Sequence, residues 1–585
     1  MIPQAVLYAL YVLLTVALAV PLGFYIYKVM FEKRNPLSRI VGPIESATYK
    51  VLGIDPEKAM SGKSYLASLM LFSLLGFLVL FIMLLIQANY TSAGMDVAQA
   101  FNTAASFVTN TNWQSYVPEN QMTPIVQALG LGVQNFFAPA AGMAVLFALI
   151  RGLIQTKTRT IGNFWKDMTR ILLYILIPVN LVLSLLLVSQ GVIQNTNTLQ
   201  SAKLLEPIAV NAEGDRIENA VIDEQNQTVT VNGTIVPDAR IVTKQALPSG
   251  LAASQIAIKQ SGTNGGGYFQ TNSAHPYENP TPISNFLEVI SILLIPMALC
   301  FTFGRALHDQ KQGRAVFWAM MIGLVLSISV IALGSHIGLD PSLVMEGKET
   351  RFGVAGTNIW TSFTTAASSG SVNSALESSS PLSAMTMLIA MQLGEVIFGG
   401  AGCGLYGMLA FLILTVFIAG LMVGRTPEFA GKKIEPYEMK WAVVMVLAAP
   451  FAILIGSTLA CLNSATLESI SSSGPHAFTQ MLYAFTSAGA NNGSAMSGFM
   501  AHTAWLDLLL GLIMLFARFV PMAAAILMAQ HLSRKSCVAP TAGTLCTNNT
   551  LFVLLLVLIV VVIGALSFFP ALALGPIAEL IQTIH

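Results

Sequence analysis

Apolar residues fall in blocks long enough to cross a bilayer, separated by polar gaps of unequal character. The blocks run at Val6–Met30, Tyr65–Gln87, Ile125–Ile154, Ile171–Val192, Ser284–Gly304, Ala315–His336, Leu382–Val423, Trp441–Leu462, Leu506–Leu532 and Leu551–Ala573. A hydrocarbon core needs roughly 20 apolar residues of helix, so each block predicts a membrane-spanning helix. Leu382–Val423 is long enough for two crossings, yet the charges on either side of it demand an odd number. Its middle, Phe398-Gly-Gly-Ala-Gly-Cys-Gly404, holds four glycines in seven positions, and glycine at that density disfavours continuous helix. One long span broken by an intramembrane loop is predicted. Non-helical backbone survives at that depth only where it is buried in protein or lines water, so the break belongs beside an ion pathway.

Lys and Arg cluster in alternate gaps: Lys28–Lys63 (with Lys33 and Arg34), Arg151–Arg170, Arg305–Arg314, Arg425–Lys440 and Arg534–Lys535. The positive-inside rule puts these five segments in the cytoplasm and the other gaps outside. The first block lacks a basic segment before it, so it reads as a retained first helix rather than a signal peptide. Both termini are then expected outside.

Four of the outer gaps carry a short stretch rich in Gly, Ser, Thr and Asn after a run of helix formers: Asn102–Gln114, Gln255–Gln270, Phe363–Ser374 and Tyr483–Met496. Alignment on their small residues centres them on Thr109-Asn110-Thr111-Asn112, Gly262-Thr263-Asn264-Gly265, Gly370-Ser371-Val372-Asn373 (preceded by Ser369) and Gly489-Ala490-Asn491-Asn492. The unit span–loop–span therefore occurs four times. One span precedes the first unit and one follows the last.

Composition agrees with this reading. The 585 residues are 54% hydrophobic and 10% charged, against roughly 25% charged in a soluble domain. A net charge of +1 carries no information about nucleic-acid or acidic partners. The five cysteines show no disulfide or metal framework. The outer gap 195–248 is the one sizeable polar region; within it Asn232-Gly233 between β-branched runs predicts a hairpin with a type I′ turn. Its acidic residues Asp215, Glu218, Asp223 and Glu224 are expected to be solvated.

An ion entering a narrow pore must exchange its hydration shell for protein oxygens. Rings of backbone carbonyls do this without fixed charge, and turning carbonyls inward calls for backbone angles that glycine adopts most easily. Gly262, Gly370 and Gly489 answer that need, with Thr109 in the matching place of the first loop. Four non-identical loops on one chain are expected to surround one axis. None carries a carboxylate ring, which argues against calcium or magnesium as cargo.

The stretches FNTAASFVTNTNWQSY, SGTNGGGYFQTNSAHPYENPTPISN, KETRFGV, GEVIFGGAGCGLYGM, GRTPEFAGKKI and GPHAFTQMLYAFTSAGANNGSA resemble the KdpA family, the potassium-binding subunits of the potassium-transporting Kdp ATPase. The similarity extends over essentially the whole chain and is least in 195–248. The resemblance implies a four-repeat architecture related to potassium channels and Trk/Ktr transporters, one potassium-selective filter, and no nucleotide bound or ATP hydrolysed by this chain. It implies potassium ion as cargo and, as partners, the P-type ATPase subunit KdpB, the further subunit KdpC and the small KdpF, in the bacterial inner membrane. It also implies a gate at the glycine-rich break, here Gly399, Gly400, Gly402 and Gly404. This chain has Ser369 where the resemblance leads one to expect cysteine.

Two charges fall inside predicted spans, Glu395 and Arg518. Intramembrane charges face the bundle interior or a water-filled cavity, so these are expected to pair with each other, or Arg518 to act as an electrostatic barrier under the filter. His275 and His476 adjoin filter loops and are expected to brace them by hydrogen bonds, with Glu278 and Glu288 helping to hold the second loop. Ser61-Gly-Lys-Ser64 is no Walker A loop, because Glu57 stands where the first glycine is required.

The expected fold is all-α and integral to the membrane, with ten transmembrane helices, four span–pore-loop–span repeats in pseudo-fourfold arrangement, and a small, partly β extracellular insert. The expected boundaries are 1–30 for the first helix, 64–154 for repeat 1, 171–304 for repeat 2 with insert 195–248, 315–424 for repeat 3 with the broken helix, 441–532 for repeat 4 and 550–585 for the last helix. An autonomous Trk/Ktr-like potassium transporter or channel shares the repeats but fits the long motifs poorly. An intramembrane enzyme would need a nucleophile–base or metal constellation within the spans, and none is present in the sequence.

Overall fold

Among the described residues, ten helices have the length and apolarity to span a membrane: Gln4–Phe31, Gly62–Gln87, Val126–Ile154, Phe164–Ser189, Pro282–Ala306, Gln310–Gly334, Cys403–Met422, Pro436–Cys461, Ala504–Arg534 and Thr550–Thr583. These belong to a computed structural model that describes residues 3–32, 35–87, 89, 94–197, 199–212, 214–223, 226–337, 343–422, 424, 426–539 and 544–584, with backbone alone at 584. Lys33, Arg34, Glu224, Val423 and Arg425, named above, lie outside the described residues. Four further helices, Val97–Val108, Ala252–Ser261, Gly353–Ala366 and Gly474–Gly489, each stand between two spans; these are the pore helices. They are built mostly of buried residues, polar ones included, which is tolerable only when every backbone group is satisfied within the protein.

The second span of each repeat runs from the pore loop back across the membrane. Those of repeats 1, 2 and 4 are continuous helices with an internal proline, Pro139, Pro296 and Pro521. That of repeat 3 is in two pieces, Pro381–Gln392 and Cys403–Met422, as its glycine density predicts. Outer helices leave large apolar side chains uncovered, such as Leu13, Leu71, Leu185 and Leu566. On a multi-pass membrane protein such uncovered apolar side chains suit contact with lipid.

On the side opposite the pore loops, the connections are bonded to one another. The N–H of Met60 donates to Gly162 O (2.6 Å), and Thr158 N–H to Ser533 O (3.0 Å). A hairpin of Glu428–Phe429 and Lys432–Lys433 follows the broken span. Its buried Lys432 ammonium donates to Gly152 O (2.7 Å), Leu532 O (2.6 Å) and Gln155 O. Helix C-termini leave carbonyls unpaired and favour a cation, so one lysine caps the second spans of repeats 1 and 4 together. The helix Ser38–Leu52 lies between the first two spans. Its Glu45 accepts from Arg170 Nε (2.9 Å) and the Tyr174 hydroxyl (2.6 Å), while Ile40, Ile44 and Val51 are exposed on the other face.

Residues Ile193–Ala252 form a separate compact unit. Within it Leu199–Val210 pairs with Arg240–Pro248, and Val221–Asp223, Thr228–Val231 and Thr234–Ile235 form a three-stranded antiparallel sheet. The turn Asn232-Gly233 has φ +51° and +80°, both positive as a type I′ turn requires.

Candidate functional site

All four pore helices end in one backbone pattern, and that pattern fixes how the loops correspond. The first residue of each loop, Thr109, Gly262, Ala367 or Ala490, donates its N–H four residues back, at 3.1, 2.7, 2.9 and 2.8 Å. The second, Asn110, Thr263, Ser368 or Asn491, has φ of +66°, +53°, +49° and +51°. The third, Thr111, Asn264, Ser369 or Asn492, donates five residues back, to the carbonyls of Ser106, Lys259, Thr364 and Ser487, at 2.9, 2.9, 2.8 and 2.8 Å. The fourth, Asn112, Gly265, Gly370 or Gly493, is left-handed again, at +53°, +70°, +80° and +100°. Positive φ at every second residue turns successive peptide groups toward one side instead of alternating them. A β-branched residue such as Thr263 is strained at positive φ; such strain concentrates at functional sites.

The loops interlock in a ring. Gly265 lies against Ser369 O, Gly370 against Asn492 O and Gly493 against Thr111 O, and a Cβ at any of the three would run into that oxygen. The first loop meets the second through side chains: Asn112 Nδ2 donates to Gly265 O (2.9 Å) and Asn110 Nδ2 to Thr263 O (3.0 Å). Ser368 Oγ donates to Ala490 O (2.7 Å), and Asn491 Nδ2 to the hydroxyl oxygen of Thr111 (2.9 Å). Contacts thus run from loop 1 to 2, 3, 4 and back to 1. Asparagine stands in for the fourth-position glycine in loop 1 because it tolerates left-handed backbone. The oxygens Asn112 Oδ1, Asn264 Oδ1, Ser369 Oγ and Thr364 Oγ1 are buried with no hydrogen-bond donor among the described residues. Unpaired buried oxygens are unfavourable, and a cation held in the ring would supply the partner they lack.

The backbone pattern corrects the alignment made on glycines. Gly370 is the fourth residue of its loop, and Gly489 ends the pore helix, where an added Cβ would meet Ile453. Ser371, Val372 and Asn373 follow the turn. The members missed from sequence are Ala367, Ser368 and Gly493. A signal for them exists in the sequence: Gly265, Gly370 and Gly493 each follow two consecutive polar residues at the end of a helix.

The break in repeat 3 is bonded to this ring. Gly399 N–H donates to Ala366 O at the end of the third pore helix (3.0 Å). Ala401 N–H donates to the Thr263 hydroxyl (2.9 Å), and Gly400 N–H to Glu395 Oε2 (3.2 Å). Gly394, Glu395, Phe398, Gly399 and Gly402 all have positive φ. Gly402 lies on the Gly142 backbone of repeat 1, and Gly404 on Phe398 O, with no room for a Cβ at either.

The Glu395–Arg518 ion pair expected from sequence is not formed. Arg518 Nη1 donates to Cys403 Sγ (2.5 Å) and Nη2 to Ala138 O (3.4 Å), while Glu395 accepts from the break itself. Both side chains line one cavity of about 40 Å³, together with Cys403, Tyr406 and Asn491. Proximity without pairing has a simple cause: Arg518 is occupied in holding the break to repeat 1.

The histidines brace their loops. His275 Nδ1 accepts from Tyr277 N–H (3.1 Å), and its ring stacks on Phe269 at 4.3 Å; burial holds it below its ordinary pKa, against the pull of Glu278 and Glu119. His476 bridges Glu377 (2.7 Å) and Glu579 (2.8 Å), and the Glu579 hydrogen bond, opposed by burial and aided by Glu377, pushes it up to about 9.

The whole chain has close relatives. The family model of the potassium-transporting ATPase A subunit, KdpA, matches residues 9–581. The potassium-transporting ATPase potassium-binding subunit of Clostridium perfringens is 51% identical over 99% of this chain and 99% of its own. The same-named subunit of Clostridium botulinum is 50% identical, again over 99% of each chain, and that of Listeria welshimeri 48% over 98% of each. Among solved structures, the potassium transporter TrkH from Vibrio parahaemolyticus aligns with 89% of this chain and 98% of its own at TM-score 0.49 and 12% identity. With ten candidate spans among its described residues and a family match over nearly its whole length, this multi-pass membrane chain belongs to the potassium-transporting ATPase A subunit (KdpA) family.

Proposed function

We propose that this chain is the potassium-binding and translocating subunit of an ATP-driven potassium import complex. External potassium loads a filter made by the four loop turns 109–112, 262–265, 367–370 and 490–493, with Ser371–Asn373 flanking the third turn. The ion is then passed to the partner P-type ATPase subunit, KdpB, in a complex with KdpC and the small KdpF. The chain sits in the bacterial inner membrane with both termini outside, and it hydrolyses no ATP by itself. The loop containing Gly399, Gly400, Gly402 and Gly404 acts as the gate beside the filter, and Arg518 keeps a positive charge in the cavity behind it.

One observation carries this reading: four loops with a single hydrogen-bond pattern close into a ring in which fourth-position glycines abut carbonyl oxygens. Such rings replace a hydration shell with dipoles and suit a monovalent ion. The names of the relatives point to the same cargo and to an ATPase assembly.

The test is growth at micromolar potassium in cells stripped of other uptake systems. Growth is expected when the chain is expressed with its ATPase and accessory subunits, and is expected to be lost with Gly370→Asp or Gly493→Asp in the full set. Growth with the chain alone would favour an autonomous transporter. No growth in any combination, with assembly confirmed, would remove potassium as the cargo.

A further inference from the structure

The carbonyl that anchors each filter turn belongs to the residue three before the loop: Ser106, Lys259, Thr364 or Ser487. Three of these are small hydroxyl residues whose side chains need nothing from afar. The fourth is a lysine, 1% exposed. Its Nζ donates to Glu278 Oε2 (2.5 Å) and to Asn272 Oδ1 (2.7 Å). The other oxygen of Glu278 accepts from Phe269 N–H (2.7 Å), so the carboxylate clamps the chain leaving loop 2 as well.

The adjoining residue extends the network to the next loop. Gln260 Nε2 reaches Glu288 Oε2 (2.7 Å), Ser273 Oγ (3.2 Å) and Ser371 Oγ (2.9 Å). Ser371 lies just past the third filter turn, and its carbonyl accepts from Trp360 Nε1 (2.9 Å). Lys259, Gln260, Ser273, Glu278, Glu288 and Ser371 are all buried. No comparable ion pair lies behind the other loops among the described residues.

A fully buried ion pair is a poor device for stability, because desolvating both charges offsets their attraction; its best-attested use is to enforce one geometry. Here the pair grips a residue whose own carbonyl receives the N–H groups of Asn264 (2.9 Å) and Gly265 (3.3 Å). The side chain and the filter turn are therefore tied at one Cα. We infer that Lys259 and Glu278 are positioning residues that hold the loop 2 turn at the spacing potassium requires, and so set the affinity and the potassium-over-sodium discrimination of the filter. The inference rests on the potassium reading above and adds to it which residues tune the site.

The test is potassium-, rubidium- and sodium-stimulated ATPase activity of the purified complete complex, carrying Lys259→Arg, Glu278→Gln or the double change Lys259→Met with Glu278→Met. Arginine keeps the charge and favours folding, but its planar fork cannot take the place of the compact ammonium. The double change removes both charges at once, leaving neither unpaired. Half-saturating potassium is expected to rise about tenfold or more in each variant that assembles, with maximal turnover changed less than about twofold, and sodium is expected to begin to stimulate. A merely structural pair would alter yield and thermal stability and leave half-saturation and ion preference as in the native complex; that result in Lys259→Arg or in the double variant overturns the inference. A native complex that potassium fails to stimulate would instead overturn the potassium reading itself.

Discussion

Repeats 1, 2 and 4 solve the return crossing in one way, and repeat 3 solves it in another. In the first group a single proline sits inside a helix that continues past it, at Pro139, Pro296 and Pro521. In repeat 3 the helix stops at Gln392 and resumes at Cys403, and five residues between them take positive φ. A proline costs one hydrogen bond and leaves the helix rigid on either side. A longer departure from helix leaves many backbone groups to be satisfied by neighbours, and here the neighbours are the third pore helix and the second pore loop: Ala366 O and the Thr263 hydroxyl take N–H groups from the break. Three repeats make the return crossing with uninterrupted helix. The third places an irregular, strained segment in hydrogen-bond contact with the ring.

The largest expected effect comes from removing the glycine that lets the break approach repeat 1. Gly402 has φ +90° and lies on the Gly142 backbone. Gly402→Val combines overpacking of about 1–3 kcal/mol with roughly 1–2 kcal/mol for left-handed backbone at an L-residue, and is expected to abolish assembly or to lower the unfolding temperature of the complex sharply. Pro296→Ala, within the continuous return span of repeat 2, is expected to cost no more than about 1 kcal/mol, since the helix already runs through that position. Equal losses from the two substitutions would break the comparison.

An intermediate effect is expected at Arg518, the side chain that joins the break to repeat 1. Arg518→Met leaves Cys403 Sγ and Ala138 O without their donor, which is worth about 1–3 kcal/mol of stability. Potassium-stimulated turnover is expected to fall much further than that loss explains. Lysine is expected not to rescue it, because one ammonium cannot span both acceptors as a guanidinium fork does. Turnover that falls only in step with stability would reduce Arg518 to a structural tie.

How much of this was legible beforehand divides along physical lines. Spans were legible because bilayer thickness imposes a length on apolar runs, and the break at Phe398–Gly404 because glycine density is a local signal. The hairpin at Asn232-Gly233 was legible for the same reason. The register of loops 3 and 4 was not. Matching glycine to glycine selected Gly370 and Gly489, whereas the true correspondence is set by helix-end hydrogen bonds, and the need for glycine at Gly370 and Gly493 arises from a carbonyl in a different loop. Arg518 was visible as an intramembrane charge, but its partner, a sulfur and a backbone oxygen, belongs to other repeats. Lys259 sat in full view in the second loop, with nothing local to show that Glu278 and Asn272 return to meet it.

The smallest effect sharpens the comparison from the outside. Repeat 3 is irregular at its break, yet past its loop turn it is clamped: His476 of the fourth pore helix bonds both Glu377 and Glu579. Glu377 also accepts from Gly498 N–H (3.1 Å) and from Gln480, and these bonds outweigh burial and hold its carboxyl below the ordinary value. The imidazole is held up at about 9 from an ordinary 6.5, so the folded chain keeps its proton where the unfolded chain has lost it. The clamp therefore stabilises fully below pH 6.5 and its contribution disappears as pH rises through about 9. Thermal unfolding of the complex between these limits is expected to fall with rising pH, and His476→Gln is expected to flatten that slope while lowering stability at about pH 6. If the slope survives the substitution, the restraint on repeat 3 lies elsewhere, and its freedom at the break is not balanced by a clamp at the outer rim.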